Sequence, residues 1–369
     1  MKKVLKRIGI ALAALLLVLV LTVGGYVGYM QWQYYRIDDG QPLTVERAPG
    51  AALRADGAYT AVTYNIGFGA YGPDYSFFMD TGVMADGTPT AGKYGKAVSK
   101  QSVLDHTNGA IGVLRDLDAD FCLLQEVDEK ADRSYDVDQR ALVAQGLADY
   151  GAVWAVNFHS AYLAYPFGDP HGAVLAGLDT LTRYRVGEAV RRSYPVDDSF
   201  FIKFTDLDRC FAVLRLPIEG AEGELVLINS HMSAYDEGGT VRARQLELLN
   251  QVITQEYEQG NYVIVGGDFN HALYGTGLAF PSRQQYPAWV QDMDDGDLAD
   301  HFSFVAAANG TEVPTCRGAD IPYEKGVNYV TVVDGFLVSD NVTATAENID
   351  TDFAYSDHNP VKLTFRFAA

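Results

Sequence analysis

Basic side chains are scarce in this sequence. Lysine and arginine number 28 against 48 aspartates and glutamates, and the formal net charge is −20. Five basic residues lie in residues 1–36, which hold no acid, so 28 less 5 leaves 23 basic against 48 acidic residues and a net charge of −25 elsewhere. Proteins that bind nucleic acids tightly neutralise phosphates with lysine and arginine. This scarcity argues against extended DNA binding, whereas a small phosphate ester bridged by a divalent cation is compatible because the cation brings its own charge.

Cysteine is equally scarce. The chain has three, Cys122, Cys210 and Cys316, so at least one is unpaired, and no C-x-x-C motif occurs. A thiolate-ligated zinc site therefore has no support. Cys122 and Cys210 lie in the apolar runs FCLLQEV and RCFAVLRL, which predicts that both are buried packing residues.

Charge is absent altogether from Ile8 to Tyr35, a stretch that follows the basic segment KKVLKR and ends in tyrosines and a tryptophan. About 20 apolar residues suffice to cross a bilayer, and aromatic rings favour its interface. We expect residues 1–36 to form a cytoplasmic basic stub and a single-pass anchor in the cell membrane, with everything after Arg36 outside the cytoplasm. A cleaved signal peptide is the alternative, but its apolar region is usually ~7–15 residues long with a small-residue cleavage site. Both alternatives export the rest of the chain.

The remainder is expected to be one domain. Residues 37–57 are polar, contain Pro and Gly, and predict a linker; residues 58–369 show no further gap and no repeat. Apolar strand-like runs outnumber helical ones and often follow each other directly. Helices are predicted at 101–117, 138–150 and 241–259, and loops at 67–100 and 159–172. This order predicts an α+β fold in which two packed sheets carry helices on their outer faces.

Polar residues of interest share one position, the end of an apolar strand. Such strand ends can hold catalytic groups rigidly at a sheet edge, although a single Asn or Asp is also common where a strand passes into a loop. The residues that end or follow a predicted strand are Asn65, Glu126, His231, Asp268, Asn270 and Asp334, and Asp357 and His358 precede the last strand.

Taken in order, these residues read N…QE…N-x-H…GDFN…D…SDH. The series resembles the endonuclease/exonuclease/phosphatase superfamily, which includes DNase I-like nucleases, neutral sphingomyelinases and inositol polyphosphate 5-phosphatases. The resemblance extends over residues 58–369, and GGDFN and SDHNP are its most diagnostic parts. It implies a four-layered α/β sandwich, with two central, mostly antiparallel sheets flanked by helices and the active site at one edge of the sheets.

The resemblance also implies a metal site. Glu126 would be the principal ligand, with Asn65 and Asp357 beside it. Oxygen donors of this kind suit Mg²⁺, which favours one or two carboxylates together with water and substrate phosphate; Mn²⁺ is the alternative ion.

The same resemblance implies the catalytic roles. Asp268 would orient or deprotonate the attacking water, and Asn270 would hydrogen-bond the phosphate. His358 would contact a phosphoryl oxygen while Asp334 fixes its tautomer. His231 would act from the opposite side of the phosphate, as hydrogen-bond donor or general acid.

Two further residues are candidates for substrate binding. Arg209 opens a strand at a position where related nucleases place a phosphate-contacting arginine; an exposed ion pair is the plain alternative. His171 lies in a predicted loop that could shape the pocket, and ordinary loop hydrogen bonding is the alternative.

The function expected from these features is Mg²⁺-dependent hydrolysis of a phosphodiester or phosphomonoester. The substrate would be a nucleic acid, a lipid head group or a small phosphoester, and the chain would meet the membrane through its N-terminal helix. No protein partner is implied. The alternative is a non-catalytic surface binding protein that keeps the fold, but such a protein is expected to lose Glu126, Asp268 or His358, and all three are present.

Overall fold

A computed structural model of the chain describes residues 2–200, 202–234, 239–287 and 289–368. Its α-helices are α1 (Lys2–Gln33), α2 (Lys100–Leu117), α3 (Gln139–Gly146) and α4 (Thr240–Glu258). The apolar central window of α1 has a mean hydropathy of 2.7 and none of it is buried, so α1 is long and apolar enough to cross a membrane. A signal sequence would share these properties.

Most strands belong to two seven-stranded sheets. Sheet I has the spatial order β2 (Val45–Glu46), β8 (Gly151–Leu163), β9 (Gly172–Thr182), β7 (Phe121–Ala131), β4 (Tyr59–Asn65), β22 (Val361–Phe367) and β21 (Val342–Asn348). Sheet II has the order β1 (Gln41–Pro42), β10 (Glu188–Ser193), β11 (Cys210–Leu216), β13 (Leu225–His231), β14 (Tyr262–Asp268), β20 (Asp334–Ser339) and β17 (Phe302–Phe304).

Four two-stranded pairs complete the described strands. They are β3 (Leu53–Arg54) with β12 (Ile218–Glu219), β5 (Thr81–Val83) with β6 (Pro89–Ala91), β15 (Ala272–Leu273) with β16 (Asp292–Met293), and β18 (Cys316–Arg317) with β19 (Val330–Thr331). The pair β5–β6 lies inside the insertion at 67–100, which the sequence predicts to be a loop. Its short strands carry no continuous apolar face, which is why the pattern gave no strand signal.

The α+β class and the layered sandwich predicted from the sequence are confirmed. Leu123 of sheet I and Phe336 of sheet II belong to the core between the sheets. Ile111 of α2 packs on the outer face of sheet I, and Leu249 and Ile253 of α4 pack on the outer face of sheet II. The helix and sheet layers therefore follow one another as α2 and α3, sheet I, sheet II and α4.

Residues 37–57, which the sequence predicts to be a linker, add short strands to the edges of the domain. β1 pairs with β10 in sheet II, β2 pairs with β8 in sheet I, and β3 pairs with β12. Paired strands of two residues are too short to produce a periodic pattern, so they could not be predicted.

The topology brings particular strand ends to one edge. Each sheet contains one parallel pair joined by a helix, β4–α2–β7 in sheet I and β13–α4–β14 in sheet II. Parallel strands end at the same edge, and the antiparallel neighbours β22 and β20 begin there. The residues that end β4, β13 and β14 and precede β22 are thereby gathered at a single edge of the sandwich.

A buried amide pair links the two sheets just below that edge. The Gln125 Nε2 of β7 donates to the Asn229 Oδ1 of β13 over 2.8 Å, and the Asn229 Nδ2 donates back to the Leu124 carbonyl over 3.2 Å. Both amides are fully buried. Because buried polar groups are costly unless they are hydrogen-bonded, this pair fixes the register of one sheet against the other.

Two local boundaries differ from the sequence prediction. β8 continues to Leu163, so His159 and Tyr162 lie in a strand and only residues 164–171 form the connection to β9. α3 ends at Gly146, four residues earlier than predicted, since glycine lowers helical stability.

Asp179 of β9 is an acid buried on the outer side of sheet I. It lies in register between Leu124 and Trp154, and both its carboxylate oxygens lack a hydrogen-bond partner among the described residues. Burial raises the pKa of Asp179 to about 7, against the opposing charges of Arg140 and Arg47. Between the ordinary pKa and this value the unfolded state is ionised while the folded state holds the proton, so raising the pH weakens the fold.

We therefore expect Asp179→Leu to stabilise the protein at about pH 8 by on the order of a few kcal/mol and by clearly less at about pH 4, because ionisation adds to the cost of burying a carboxyl without hydrogen bonds. Chemical denaturation at both pH values measures the difference. The exposed Asp149→Leu serves as the control and should show no such pH dependence. Equal effects of Asp179→Leu at the two pH values would refute the assignment.

Candidate active site

Side chains from both sheets converge on the carboxylate of Asp268. Its Oδ2 accepts a hydrogen bond of 3.0 Å from the Asn65 Nδ2 and lies 3.5 Å from the His231 Nε2 and 3.8 Å from the His358 Nε2. Asn65 also donates to the Glu126 Oε1 over 3.3 Å. Asn65, His231 and Asp268 end β4, β13 and β14, and His358 precedes β22, so the strand ends that the topology gathers carry most of the polar cluster. Glu126, which the sequence predicts to end a strand, lies within β7 instead.

Glu126 owes its orientation to an irregularity in β7. The register with β9 jumps between Leu124 and Val127, and Glu126 has a left-handed backbone with φ of 53°. A β-bulge of this kind turns a side chain out of the regular alternation. A non-glycine residue in this region costs about 1–3 kcal/mol, and such strain concentrates at functional sites. The bulge directs Glu126 toward the cluster while Gln125 stays between the sheets.

Glu126 and Asp357 form the first group that could hold a cation. Burial, with a smaller contribution from the negative charge of Glu126, raises the pKa of Asp357 to about 6 against the opposing charges of His358 and Arg317. A divalent cation would relieve both the burial and the repulsion between the carboxylates. The oxygen donors of Glu126, Asp357 and Asn65 fit Mg²⁺ in kind.

A second group meets the geometric condition for a metal site. One potential ligand atom from each of Asp268, Asp334 and His358 lies within 4.8 Å of the others, and all three residues are buried. The His358 Nδ1 is already hydrogen-bonded to the Asp334 Oδ2 at 2.8 Å. In this state the group is an acid–imidazole–acid chain, and it becomes a ligand set only if His358 gives up its proton.

The electrostatics of that chain favour a charged imidazole. Burial by itself would lower the pKa of His358, but the charge of Asp334 and, more weakly, those of Asp268 and Asp357 raise it well above its usual value. Burial raises the pKa of Asp334 to about 6. The Thr315 Oγ1 accepts the Asp334 N–H over 3.0 Å and helps to hold the carboxylate in place.

His231 is in the opposite state. Burial and the charge of Arg209 lower its pKa well below the usual value, so its ring is neutral. The Asn157 amide lies 3.4 Å from the Nδ1, in position to donate to it. Donation to Nδ1 places the ring proton on Nε2, the atom that faces Asp268. His231 therefore presents an N–H donor to the site.

Asn270 is positioned by a turn and not by continuation of the strand. β14 ends at Asp268, and Asn270 has a left-handed φ of 51°. Its backbone N–H donates to the Asp268 Oδ1 over 2.9 Å, and its Nδ2 donates to the Met232 carbonyl over 2.9 Å. Asparagine readily takes this turn conformation, so Asn270 lies next to Asp268 without continuation of the strand.

The glycines of the GGDFN motif allow close contact between strands. A Cβ on Gly267 would lie 1.9 Å from the Ser230 carbonyl oxygen, and one on Gly266 would lie 2.4 Å from the Phe336 ring. A side chain at Gly267 would push β14 away from β13, so the spacing between His231 and Asp268 depends on this glycine. A side chain at Gly266 would instead clash with the Phe336 ring in the core between the sheets.

Two buried arginines surround the cluster. Arg209 is 5% exposed, and its Nε and Nη1 have no hydrogen-bond partner among the described residues, which excludes the exposed ion pair considered from the sequence. Arg133 forms a buried ion pair of 2.8 Å with Asp128, and its charge is felt by both Glu126 and His231. A buried arginine without full pairing, such as Arg209, suits phosphate recognition, whereas Arg133 is already paired with Asp128.

His171 lies among aromatic rings. Its ring centroid is 6.0 Å from that of Phe77 and 6.3 Å from that of Phe68, and its Nδ1 donates to the Gly95 carbonyl over 2.6 Å. Burial lowers the pKa of His171 to about 3. These contacts correspond to the alternative of ordinary loop hydrogen bonding. A substrate contact by His171 stays a prediction.

Sequence reasoning missed several residues that shape the site. Asn157 sits within the apolar run VWAVNF, where a polar residue in a buried strand was the available signal. Arg133 lies in the polar stretch EKADRSYD, where no sequence signal distinguishes it. Thr315 precedes Cys316 in a loop without periodicity, and only the fold brings it to Asp334.

Comparison with known proteins identifies the family of the chain. The model of the endonuclease/exonuclease/phosphatase family matches residues 62–358. No protein of curated function matches the chain by sequence.

Several solved structures share the fold. An endonuclease/exonuclease/phosphatase from Beutenbergia cavernae has a TM-score of 0.55 and 17% identity, covering 85% of this chain and 72% of its own. A family protein from Leptotrichia buccalis has a TM-score of 0.53 and 13% identity, covering 84% and 100%. D. rerio TDP2, solved in complex with a single-strand DNA product, has a TM-score of 0.51 and 14% identity, covering 84% and 100%. At these identities the likeness establishes the fold alone. The family match over most of the length, together with this fold, shows that the chain belongs to the endonuclease/exonuclease/phosphatase family.

Proposed function

We propose that the chain is a membrane-anchored, extracytoplasmic phosphoesterase that depends on Mg²⁺ or Mn²⁺ and hydrolyses a phosphodiester or phosphomonoester. The observation that carries this proposal is the convergence of Asn65, His231 and His358 on the Asp268 carboxylate, with Glu126 bonded to Asn65. The family generally hydrolyses phosphoesters. A binding protein without catalysis would not need to maintain so many costly buried polar groups.

The metal would be held by Glu126, Asn65 and Asp357. When bound, it would supply positive charge to the phosphoryl oxygens and to the departing oxygen. Glu126 has a left-handed backbone and a fixed hydrogen bond from Asn65, so this ligand is positioned in advance. The raised pKa of Asp357 gives a second reason for a cation at this place.

The remaining residues act on water and phosphate. Asp268 is held by the Asn65 amide and by the Asn270 N–H, which leaves its carboxylate oriented to accept a proton from an attacking water. His358 is charged and would stabilise a phosphoryl oxygen, with Asp334 fixing its ring. His231 is neutral and would donate its Nε2–H from the other side, which favours the donor role over the general-acid role.

Charge and the N-terminal helix bear on the substrate. The net charge of −25 outside residues 1–36 opposes long polyanions, although a related structure holds a single-strand DNA product. The apolar helix α1 supports anchoring, and the basic cluster before it favours an orientation with the domain outside the cytoplasm.

The candidate substrate classes are a nucleic acid, a lipid head group and a small phosphoester. A panel of plasmid DNA, RNA, sphingomyelin and inositol phosphates, with and without Mg²⁺, tests the proposal on the full chain in detergent.

Glu126→Gln removes the charge of the proposed principal metal ligand. We expect Mg²⁺-stimulated hydrolysis of bis-p-nitrophenyl phosphate or DNA to fall by on the order of 10³-fold, because charge stabilisation by the metal is lost. Thermal unfolding should change little, and isothermal titration should show weaker Mg²⁺ binding. Glu129→Gln, on the same strand, is the control and should keep its activity. Unchanged turnover of Glu126→Gln would argue against the metal assignment.

His231→Ala should reduce turnover by on the order of 10³-fold or more, because a donor aimed at the developing phosphoryl charge is lost. His231→Gln should recover part of the rate, since glutamine is also a neutral donor, whereas a general acid would not be replaced by an amide. Single-turnover kinetics on the same substrate measures both variants. A loss below about tenfold in His231→Ala would assign the residue a structural role.

Arg209→Met tests whether the buried guanidinium binds phosphate. We expect the KM to rise and stabilisation by inorganic phosphate to disappear, while the free energy of unfolding without phosphate stays the same or increases by about 1 kcal/mol, because a buried charge without hydrogen bonds is costly. Thermal unfolding with and without phosphate checks both parts. Arg192→Met, which removes a partly exposed ion pair with Asp39, is the control. If phosphate stabilised Arg209→Met as much as the wild type, phosphate binding by Arg209 would be excluded.

A further inference from the structure

The end of α1 is attached to the domain by several specific contacts. The Tyr26 hydroxyl donates to the Tyr162 carbonyl over 3.0 Å and accepts from the Ala164 N–H over 3.1 Å, and the Tyr29 hydroxyl accepts from the Tyr162 N–H over 3.2 Å. These bonds use the backbone groups at the end of β8. The helix and the connection between β8 and β9 are therefore held in one arrangement.

A second set of contacts lies on the other side of the helix end. The Lys203 Nζ donates to the Gln31 Oε1 over 2.9 Å, and the Arg36 Nη1 lies 3.1 Å from the Asp208 Oδ1. The Tyr35 ring lies 4.3 Å from the His159 ring. Contacts on two sides restrict rotation of the domain about the helix, so α1 is more than a flexible tether.

The depth of these contacts relative to a lipid bilayer follows from the length of α1. A hydrocarbon layer of ~30 Å takes about 20 helical residues at ~1.5 Å per residue, which from Ile8 extends to about Val27. Tyr26 and Tyr29 then lie at the outer interface, where tyrosine is favoured. Tyr162 and Ala164, which are bonded to them, are at the same depth.

Exposed apolar side chains cluster beside this attachment. We call them the apolar rim: Tyr162, Tyr165 and Phe167 near the end of β8, and Phe200 and Ile202 before β11. Phe167 is 87% exposed and Tyr165 is 60% exposed. Lys203 lies 4.9 Å from the Phe200 ring centre and adds a cation next to the rings. Soluble surfaces rarely gather large apolar groups in this way, and rings beside a lysine suit a lipid interface.

We propose that the apolar rim lies in the interfacial layer of the outer leaflet of a lipid bilayer, and that it holds the domain with its active site at the membrane surface. This inference rests on the proposed anchoring by α1. The bilayer is the occupant that the structure favours because the rim is continuous with the end of the membrane-spanning helix.

The active site is close to this surface. His159, which contacts Tyr35, is two residues from Asn157 on β8, about 7 Å at ~3.4 Å per residue. Asn157 contacts His231. On the other side, Asp208 binds Arg36 and directly precedes Arg209. The residues just after α1 thus contact His159 and Asp208, which lie two residues from Asn157 and one residue from Arg209. Phosphoesters at the membrane surface would therefore be within reach of the site.

The depth of Phe167 can be measured directly in the full chain. Cys122, Cys210 and Cys316 are buried, and burial raises their thiol pKa values to about 12, 11 and 12, so a new exposed cysteine is labelled selectively. We would label Phe167→Cys with an environment-sensitive nitrobenzoxadiazole group and reconstitute the chain in phosphatidylcholine nanodiscs. Tyr165→Cys provides a second position.

The control position is at the opposite end of the sheets. Gln259→Cys is exposed and precedes the start of β14, whereas the site lies at the end of that strand. We expect the label at 167 or 165 to shift its emission to the blue and to be quenched by a lipid that carries a nitroxide near the head group. The label at 259 should show neither change.

The outcomes separate the two proposals. If the chain enters nanodiscs but the label at 167 and 165 behaves like that at 259, the rim proposal is overturned while the anchor stands. If the chain does not enter nanodiscs, both the anchor and the rim are overturned. Hydrolysis of bis-p-nitrophenyl phosphate by the same samples reports on the enzymatic proposal separately, because a blue-shifted label in an inactive protein would support the rim and refute the enzyme.

Discussion

The site depends on the alignment of one sheet with the other. Asn65 belongs to sheet I and Asp268 to sheet II, and the hydrogen bond of 3.0 Å between them crosses the gap between the sheets. The buried amides of Gln125 and Asn229 fix the alignment just below. Because each amide satisfies groups of the opposite sheet, sliding one sheet would leave several buried polar groups without partners. The bonds that align the two sheets therefore also set the geometry of the cluster.

The electrostatics of the site follow from burying acids and bases together. Burial alone opposes every charge, so the state of each group is decided by its nearest partner. His358 is held charged by Asp334, whereas His231 has the charge of Arg209 nearby and is neutral. Two histidines of one site thus differ in charge for a reason found only in their neighbours. This difference suits a reaction in which one ring stabilises negative charge and the other donates a hydrogen bond.

The N-terminal segment connects the proposed membrane anchor to the domain that carries the candidate active site. Residues after α1 pair with both sheets, and the helix itself is bonded to the end of β8. An anchor attached in this way would fix the orientation of the domain as well as its distance from the bilayer. The acidic surface that disfavours long nucleic acids would be less of an obstacle to a phosphoester presented at the membrane, since a single phosphate carries little charge.

The sequence alone determined the class of fold, the apolar helix and the order of polar residues at strand ends, because each of these is written in local periodicity or in a short motif. The motifs identified five candidate site residues without any knowledge of their contacts, namely Asn65, Glu126, His231, Asp268 and His358. Only the tertiary structure decided that Glu126 lies in a bulge, that His231 is neutral, and that Asn157, Arg133 and Thr315 support the site. Those properties arise from residues far apart in the chain, whose burial and mutual distances no local pattern specifies.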